Sequence, residues 1–111
     1  MSRIRPWHEE KSAAQLRELS PDAFEKFVAF EDAAFAPGQL STKFKELLAV
    51  GITHVTQCDA CTTYHARKAK EAGASDAEIA EAVMVAMSLR AGAALGQFAR
   101  TARIMEQARS K

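Results

Sequence analysis

The 111-residue chain has little of what usually punctuates a fold: 5 Gly, 3 Pro, one Trp, one Tyr and two Cys. Alternating Val/Ile/Thr runs are missing, and with them the period-2 signal of strands. What remains is helix, supported by abundant Ala, Glu, Lys, Arg and Leu. We expect an all-α domain of about five to six helices, with 1–111 as one unit. No sign of charge dominates. A net charge of +1 gives no electrostatic argument for nucleic acid or an acidic membrane as partner. The longest apolar run, near 82–89, is too short to span a bilayer. The basic N-terminus, Met1 to Trp7, has no apolar segment behind it and does not read as a secretory signal. A cytoplasmic protein is expected, where a close Cys pair suggests catalysis or metal binding ahead of a structural staple.

Residues 1–11 read as a loose polar arm, with Trp7 docked on the body or on a neighbouring subunit. His8 on this arm reads as an exposed bystander. A short helix over 12–19 is followed by Ser20-Pro21, a cap and first-position pair that opens a helix carrying Phe24, Phe27, Val28 and Phe35 on one face. Pro37-Gly38 ends it. Ser41 caps the next helix, whose expected core face is Phe44, Leu47, Leu48, Ile52 and Val55. Glu46, Val50, Thr53 and His54 lie on another side, and Gly51 marks a weak point or a close contact. A further helix starts at the Cys pair and stops at Gly73, with Arg67, Lys68, Lys70 and Glu71 on its solvated side. Ser75-Asp76-Ala77-Glu78 is a capping box. It opens a helix through Ile79, Val83, Met84 and Met87, and Arg90 to Ala94 is a break or a tight crossing before a last helix with Leu95, Phe98, Ile104 and Met105. The chain is 48% hydrophobic, with more apolar helix surface than a small bundle buries alone, so a homo-oligomer packed through helices is expected.

The chemistry centres on Cys58-Asp59-Ala60-Cys61-Thr62-Thr63-Tyr64-His65. On a helix, positions 58, 61 and 65 form one stripe. A Cys near a helix N-terminus is favoured as thiolate, the reactive form. His65 is placed to take the proton of Cys61, and Cys58 to attack an oxidised Cys61 and close a disulfide. Two other readings stand beside this one. The cysteines serve as small buried hydrophobes, or Cys58, Cys61 and His65 bind zinc with His54 as fourth ligand. His54 otherwise reads as a structural or orienting histidine. The thioredoxin version of Cys-x-x-Cys needs strands, which this chain lacks.

Glu46, eleven intervening residues, Cys58-x-x-Cys61 and His65 together resemble the pattern of alkylhydroperoxidase D-like proteins in the carboxymuconolactone decarboxylase superfamily. Lys45 to Ala49, His54 to Cys58, Tyr64-His65, Glu71 to Ala74 and Glu78 to Ala82 extend the resemblance over roughly residues 20–105. It implies an all-α fold, trimers or hexamers, and a thiol peroxidase without cofactor or metal. It implies that Cys61 attacks the peroxide, that Cys58 is its disulfide partner, and that Glu46 and His65 relay protons; His54 and Tyr64 are candidate auxiliaries read beside that relay, not part of the resemblance. The implied partners are a small hydroperoxide and a dithiol reductant, dihydrolipoamide or a redox protein. One departure weakens the peroxidase expectation: alkylhydroperoxidase D has a second His directly before the second Cys, where this chain has Ala60. Thiol–disulfide exchange or redox sensing is therefore the alternative. The decarboxylase branch usually lacks the Cys pair, so the two thiols argue against that reaction.

Overall fold

The computed structural model describes residues 5–110, and helices make up nearly all of it. A 3-10 turn (Pro6–Glu9) leads into α1 (Lys11–Leu19), α2 (Pro21–Phe35), α3 (Thr42–Thr56), α4 (Asp59–Glu71) and α5 (Asp76–Arg109). The helix starts follow local chemistry. Ser41 Oγ accepts the Phe44 N–H at 3.1 Å. The capping box of α5 is complete: Ser75 Oγ accepts the Glu78 N–H at 3.0 Å, and Glu78 Oε1 accepts the Ser75 N–H at 2.9 Å. At α2 the expected pattern is partial. Pro21 opens the helix, but the Ser20 side chain makes no capping bond. Gly73 ends α4 in the left-handed region at φ 96°, and the Ala74 N–H returns to the Ala69 carbonyl at 2.9 Å. Glycine adopts that conformation without a Cβ penalty.

α3 is the central element and packs against both α4 and α5. The core between them is small: Val50, Ala69 and Ala74, with Leu47, Ala66, Ile79 and Val83 packed around it. Gly51 is a close contact, because a Cβ there would lie 3.3 Å from the Ala82 carbonyl oxygen of α5. α1 and α2 form a hairpin with its own centre at Phe24 and Val28, and the 3-10 turn links that hairpin to α4. Burying a Val side chain such as Val28 or Val50 stabilises by about 1.5–3 kcal/mol.

Four expectations need correction. The expected core face of α3 is largely uncovered: Phe44, Leu48 and Ile52 are exposed, and the buried side is Glu46, Ala49, Val50 and Thr53. The open face meets α5 across a groove of about 590 Å³, lined by residues such as Phe44, Leu48, Ile52, Val85 and Leu89. The segment Arg90–Ala94 is neither break nor crossing, since α5 runs 34 residues without interruption. Its small residues keep the helix regular, and residues 87–101 are all exposed. By length and composition alone, α5 is apolar enough to cross a membrane, which the run at 82–89 did not suggest. Lastly, the arm from Arg5 onward is docked and His8 is buried at 2% exposure. Residues 1–4 of that expected arm lie outside the described residues.

Candidate active site

Cys58 sits where two helices meet. α3 ends at Gln57, in the left-handed region with φ 59°. It is the one non-glycine with positive φ among the described residues. The turn places Cys58 as the N-cap of α4. The Cys58 sulfur accepts the Cys61 N–H at 3.3 Å, and its carbonyl accepts the Thr62 hydroxyl at 2.9 Å. Cys58 and Cys61 are joined as a disulfide, with Cα atoms 5.3 Å apart, and both are half-buried. Unpaired N–H groups and the positive end of the helix dipole face this position, so a reduced sulfur here is favoured as the anion.

One turn after Cys61 comes His65, on the same side of α4. α3 packs there and brings Glu46, which is 5% exposed. Its Oε2 lies 2.9 Å from His65 Nδ1. A buried carboxylate only accepts, so the ring proton is assigned to Nδ1 and Nε2 keeps its lone pair. Among the described residues Nε2 has no hydrogen-bond partner. Three aromatic rings hold the imidazole. Phe35 stacks on it at 4.9 Å and 13°, Tyr64 meets it edge-on at 5.0 Å, and Trp7 lies tilted at 5.8 Å. A carboxylate, an imidazole with one free nitrogen and a thiol one turn away can together move a proton off the sulfur.

Residues 21–103 match the carboxymuconolactone decarboxylase family. The chain belongs to that family. A Paracoccus denitrificans protein known by its place in the cox locus is 40% identical over 87 residues, 76% of this chain and 78% of its own length. A Methanobacterium thermoautotrophicum crystal structure matches with TM-score 0.71 and 37% identity, covering 78% of this chain and 97% of that one. A Thermotoga maritima member of the family, with a suggested part in the antioxidative response, matches with TM-score 0.58 and 31% identity over 78% and 89% of the two chains.

In this carboxymuconolactone decarboxylase family member, Glu46 meets His65, Tyr64 packs edge-on against that ring, and Cys58 and Cys61 are paired at the start of the same helix. His54 does not join them. It is exposed, and its Nδ1 lies 2.7 Å from the Val50 carbonyl of its own helix. Among the described residues no three His, Cys, Asp or Glu side chains are gathered for a metal ion. Sequence reasoning missed Phe35 as a contact of the imidazole, having read it as an ordinary apolar position. It also missed Arg5, His8 and Glu31, which flank the Trp7 contact. No spacing rule links His8 to Glu31, so only the three-dimensional fold shows them as neighbours.

Proposed function

We propose that the chain is a thiol-dependent reductase of small hydroperoxides. The observation that carries this reading is the Glu46–His65 pair, buried one helical turn from a dithiol at a helix N-terminus. In the reduced protein His65 Nε2 takes the Cys61 proton, and Glu46 stabilises the imidazolium. The Cys61 thiolate attacks the outer oxygen of the hydroperoxide. The O–O bond breaks, the alcohol leaves with the proton from His65, and Cys61 becomes a sulfenic acid. The Cys58 thiol attacks that sulfur, water leaves, and the disulfide forms. An external dithiol, dihydrolipoamide or a partner redox protein, attacks Cys58 and is itself oxidised to a disulfide, restoring both thiols. The half-buried placement of both cysteines fits this cycle.

One observation favours a second reading. Ala60 leaves the relay without a further imidazole, which suits thiol–disulfide exchange with little peroxide turnover. Hydroperoxide consumption coupled to dihydrolipoamide separates the two. The first reading expects turnover that Cys61→Ser abolishes. Rapid disulfide exchange with negligible peroxide turnover supports the second, and equal rates in wild type and Cys61→Ser defeat the first.

We also propose a cytoplasmic homo-oligomer, a trimer or hexamer. Its basis is the uncovered face of α3 and the exposed Leu95, Phe98, Ile104 and Met105 of α5, more apolar surface than an isolated subunit is expected to leave in water. A monomeric mass by light scattering at micromolar concentration contradicts it.

A further inference from the structure

We infer that Trp7 is a positioning residue for His65, and that Arg5, His8 and Glu31 form the latch that holds it in place. The inference rests on the reading of His65 as the base of the dithiol site. The turn carrying Trp7 is only four residues long, Pro6–Glu9, yet Trp7 is flanked by two of the most buried polar residues of the chain. Arg5 is 6% and His8 2% exposed. Burying such groups is costly unless they are paired, and both pair with one helix. The Arg5 guanidinium lies 3.6 Å from Glu31 and 3.5 Å from Asp32 of α2, and sits over the Phe35 ring at 5.6 Å. His8 Nδ1 accepts the Arg5 N–H at 3.2 Å, which assigns the ring proton to Nε2. That Nε2 lies 2.8 Å from Glu31 Oε1, close although its N–H points off the line to the oxygen.

The latch fixes the turn on α2, and from there the indole reaches across to α4. It meets Tyr64 edge-on at 5.2 Å and His65 at 5.8 Å. Phe35, under the Arg5 guanidinium, supplies the stacked contact to the same imidazole. The Glu46 hydrogen bond fixes one atom of the His65 ring. Contacts from Trp7 and Phe35 oppose rotation of the rest and keep water from the pair, which strengthens the bond between them. Reaction geometry is sensitive on the scale of about 1 Å, so a ring free to tilt is a poorer base.

Trp7 is the single tryptophan of the chain, so its fluorescence reports the latch without ambiguity. Trp emission with acrylamide quenching is read on wild type and His8→Ala, which keep the indole; iodoacetamide alkylation of the reduced protein and steady-state hydroperoxide turnover are read on these and on Trp7→Ala and Trp7→Phe. We expect His8→Ala to shift the emission to the red and raise acrylamide quenching. Both His8→Ala and Trp7→Ala should slow alkylation and lower kcat by about tenfold with KM little changed. Trp7→Phe, which keeps a ring, should restore most of the rate. If His8→Ala loses helicity by circular dichroism, Glu31→Gln replaces it in all three measurements. Unchanged quenching in the latch variant overturns the latch, and unchanged alkylation in Trp7→Ala overturns the positioning role. Wild-type protein that alkylates rapidly but turns over no peroxide defeats the peroxidase reading alone, because emission and alkylation still decide the role of Trp7.

Discussion

His65 and His8 are buried to similar degrees, 6% and 2% exposed, and each lies beside a glutamate carboxylate, at 2.9 and 2.8 Å. They differ in what is left over. His8 has its Nδ1 taken by the Arg5 N–H, and its Nε2 sits 2.8 Å from Glu31 Oε1 without forming a hydrogen bond to it. His65 engages Nδ1 alone, and among the described residues its Nε2 has no partner. The setting differs in the same direction. An Arg side chain shares Glu31 with His8, whereas Glu46 faces His65 and a cluster of rings. A histidine whose acceptor nitrogen already holds a backbone N–H can hold a structure together but cannot accept a proton without losing that bond. A histidine tethered at one nitrogen and bare at the other is arranged to accept one. Burial beside a carboxylate therefore does not distinguish the two; the free lone pair does.

The comparison breaks first at His65. Replacing it by Ala removes the base, and hydroperoxide turnover should fall by about 10²–10⁴-fold while the circular dichroism spectrum stays helical. Glu46→Gln keeps a hydrogen-bond acceptor but removes the charge behind the imidazolium, and the loss should be nearer tenfold, the scale of one charged hydrogen bond. The two losses should not add in the double variant, because the residues act as a unit. Additive losses would mean that Glu46 and His65 act independently, and the parallel with a tethered base would end.

How far this difference was legible from the sequence depends on what carried the signal. The all-helical class, the Ser75–Glu78 box and the Gly73 stop rest on local chemistry, which survives folding because its partners are three or four residues apart. Cys58, Cys61 and His65 were legible for a related reason, since one helical stripe fixes their spacing; Glu46 was legible only through the family resemblance, because a lone carboxylate on the preceding helix reads equally as a surface group. His8–Glu31 has no such rule. Its partners come from a turn and a helix separated by α1, and a histidine near Pro6 has no local reason to be buried. The α3 face failed differently. Periodicity correctly found an apolar stripe at Phe44, Leu48 and Ile52, but a stripe does not say whether its cover comes from the same chain. Here the cover within the chain goes to Val50 and Ala49. The continuous α5 was hidden by Gly92 and neighbouring alanines, which permit a break without requiring one.

The His8 pair sharpens the comparison through stability. His8→Ala leaves the buried Arg5 N–H without its acceptor, removes the imidazole beside Glu31 and opens a space beside Phe24. The expected cost is about 1–3 kcal/mol, the scale of leaving a buried polar group unpaired. For a chain of this size that is a fall of about 4–8 °C in Tm for each kcal/mol. The corresponding loss for His65→Ala should be smaller than its effect on turnover suggests, because the aromatic rings around it remain. Thermal unfolding of both variants, set beside their rates, tests the division. If His65→Ala costs more stability than His8→Ala and turnover falls equally in both, the two pairs are not functionally distinct.

The exposed ion pairs give the smallest effect, and they show what a carboxylate does without burial. At the start of α5 Glu78 is held below its usual range by the Ser75 backbone N–H and then by Lys43, 2.9 Å away. Asp76 is held low by hydrogen bonding to Lys70 at 2.6 Å and by that residue's charge. A carboxyl whose folded pKa is depressed contributes stability that is complete above its unfolded value and is lost as pH falls through the folded one. Both contributions should therefore be flat from neutrality down to the ordinary carboxylate range, and fade only below it. Because both groups are exposed, salt should weaken the Lys43 and Lys70 parts. The Ser75 N–H part of the Glu78 effect should persist, since it is a local hydrogen bond at a helix start. Urea unfolding across the acid range, with and without added salt, reads this directly. Glu78→Gln should remove the salt-insensitive part of the acid loss, whereas Lys70→Ala should remove only a salt-sensitive part. An acid loss that is abolished entirely by salt would show that the capping box contributes nothing beyond its charge.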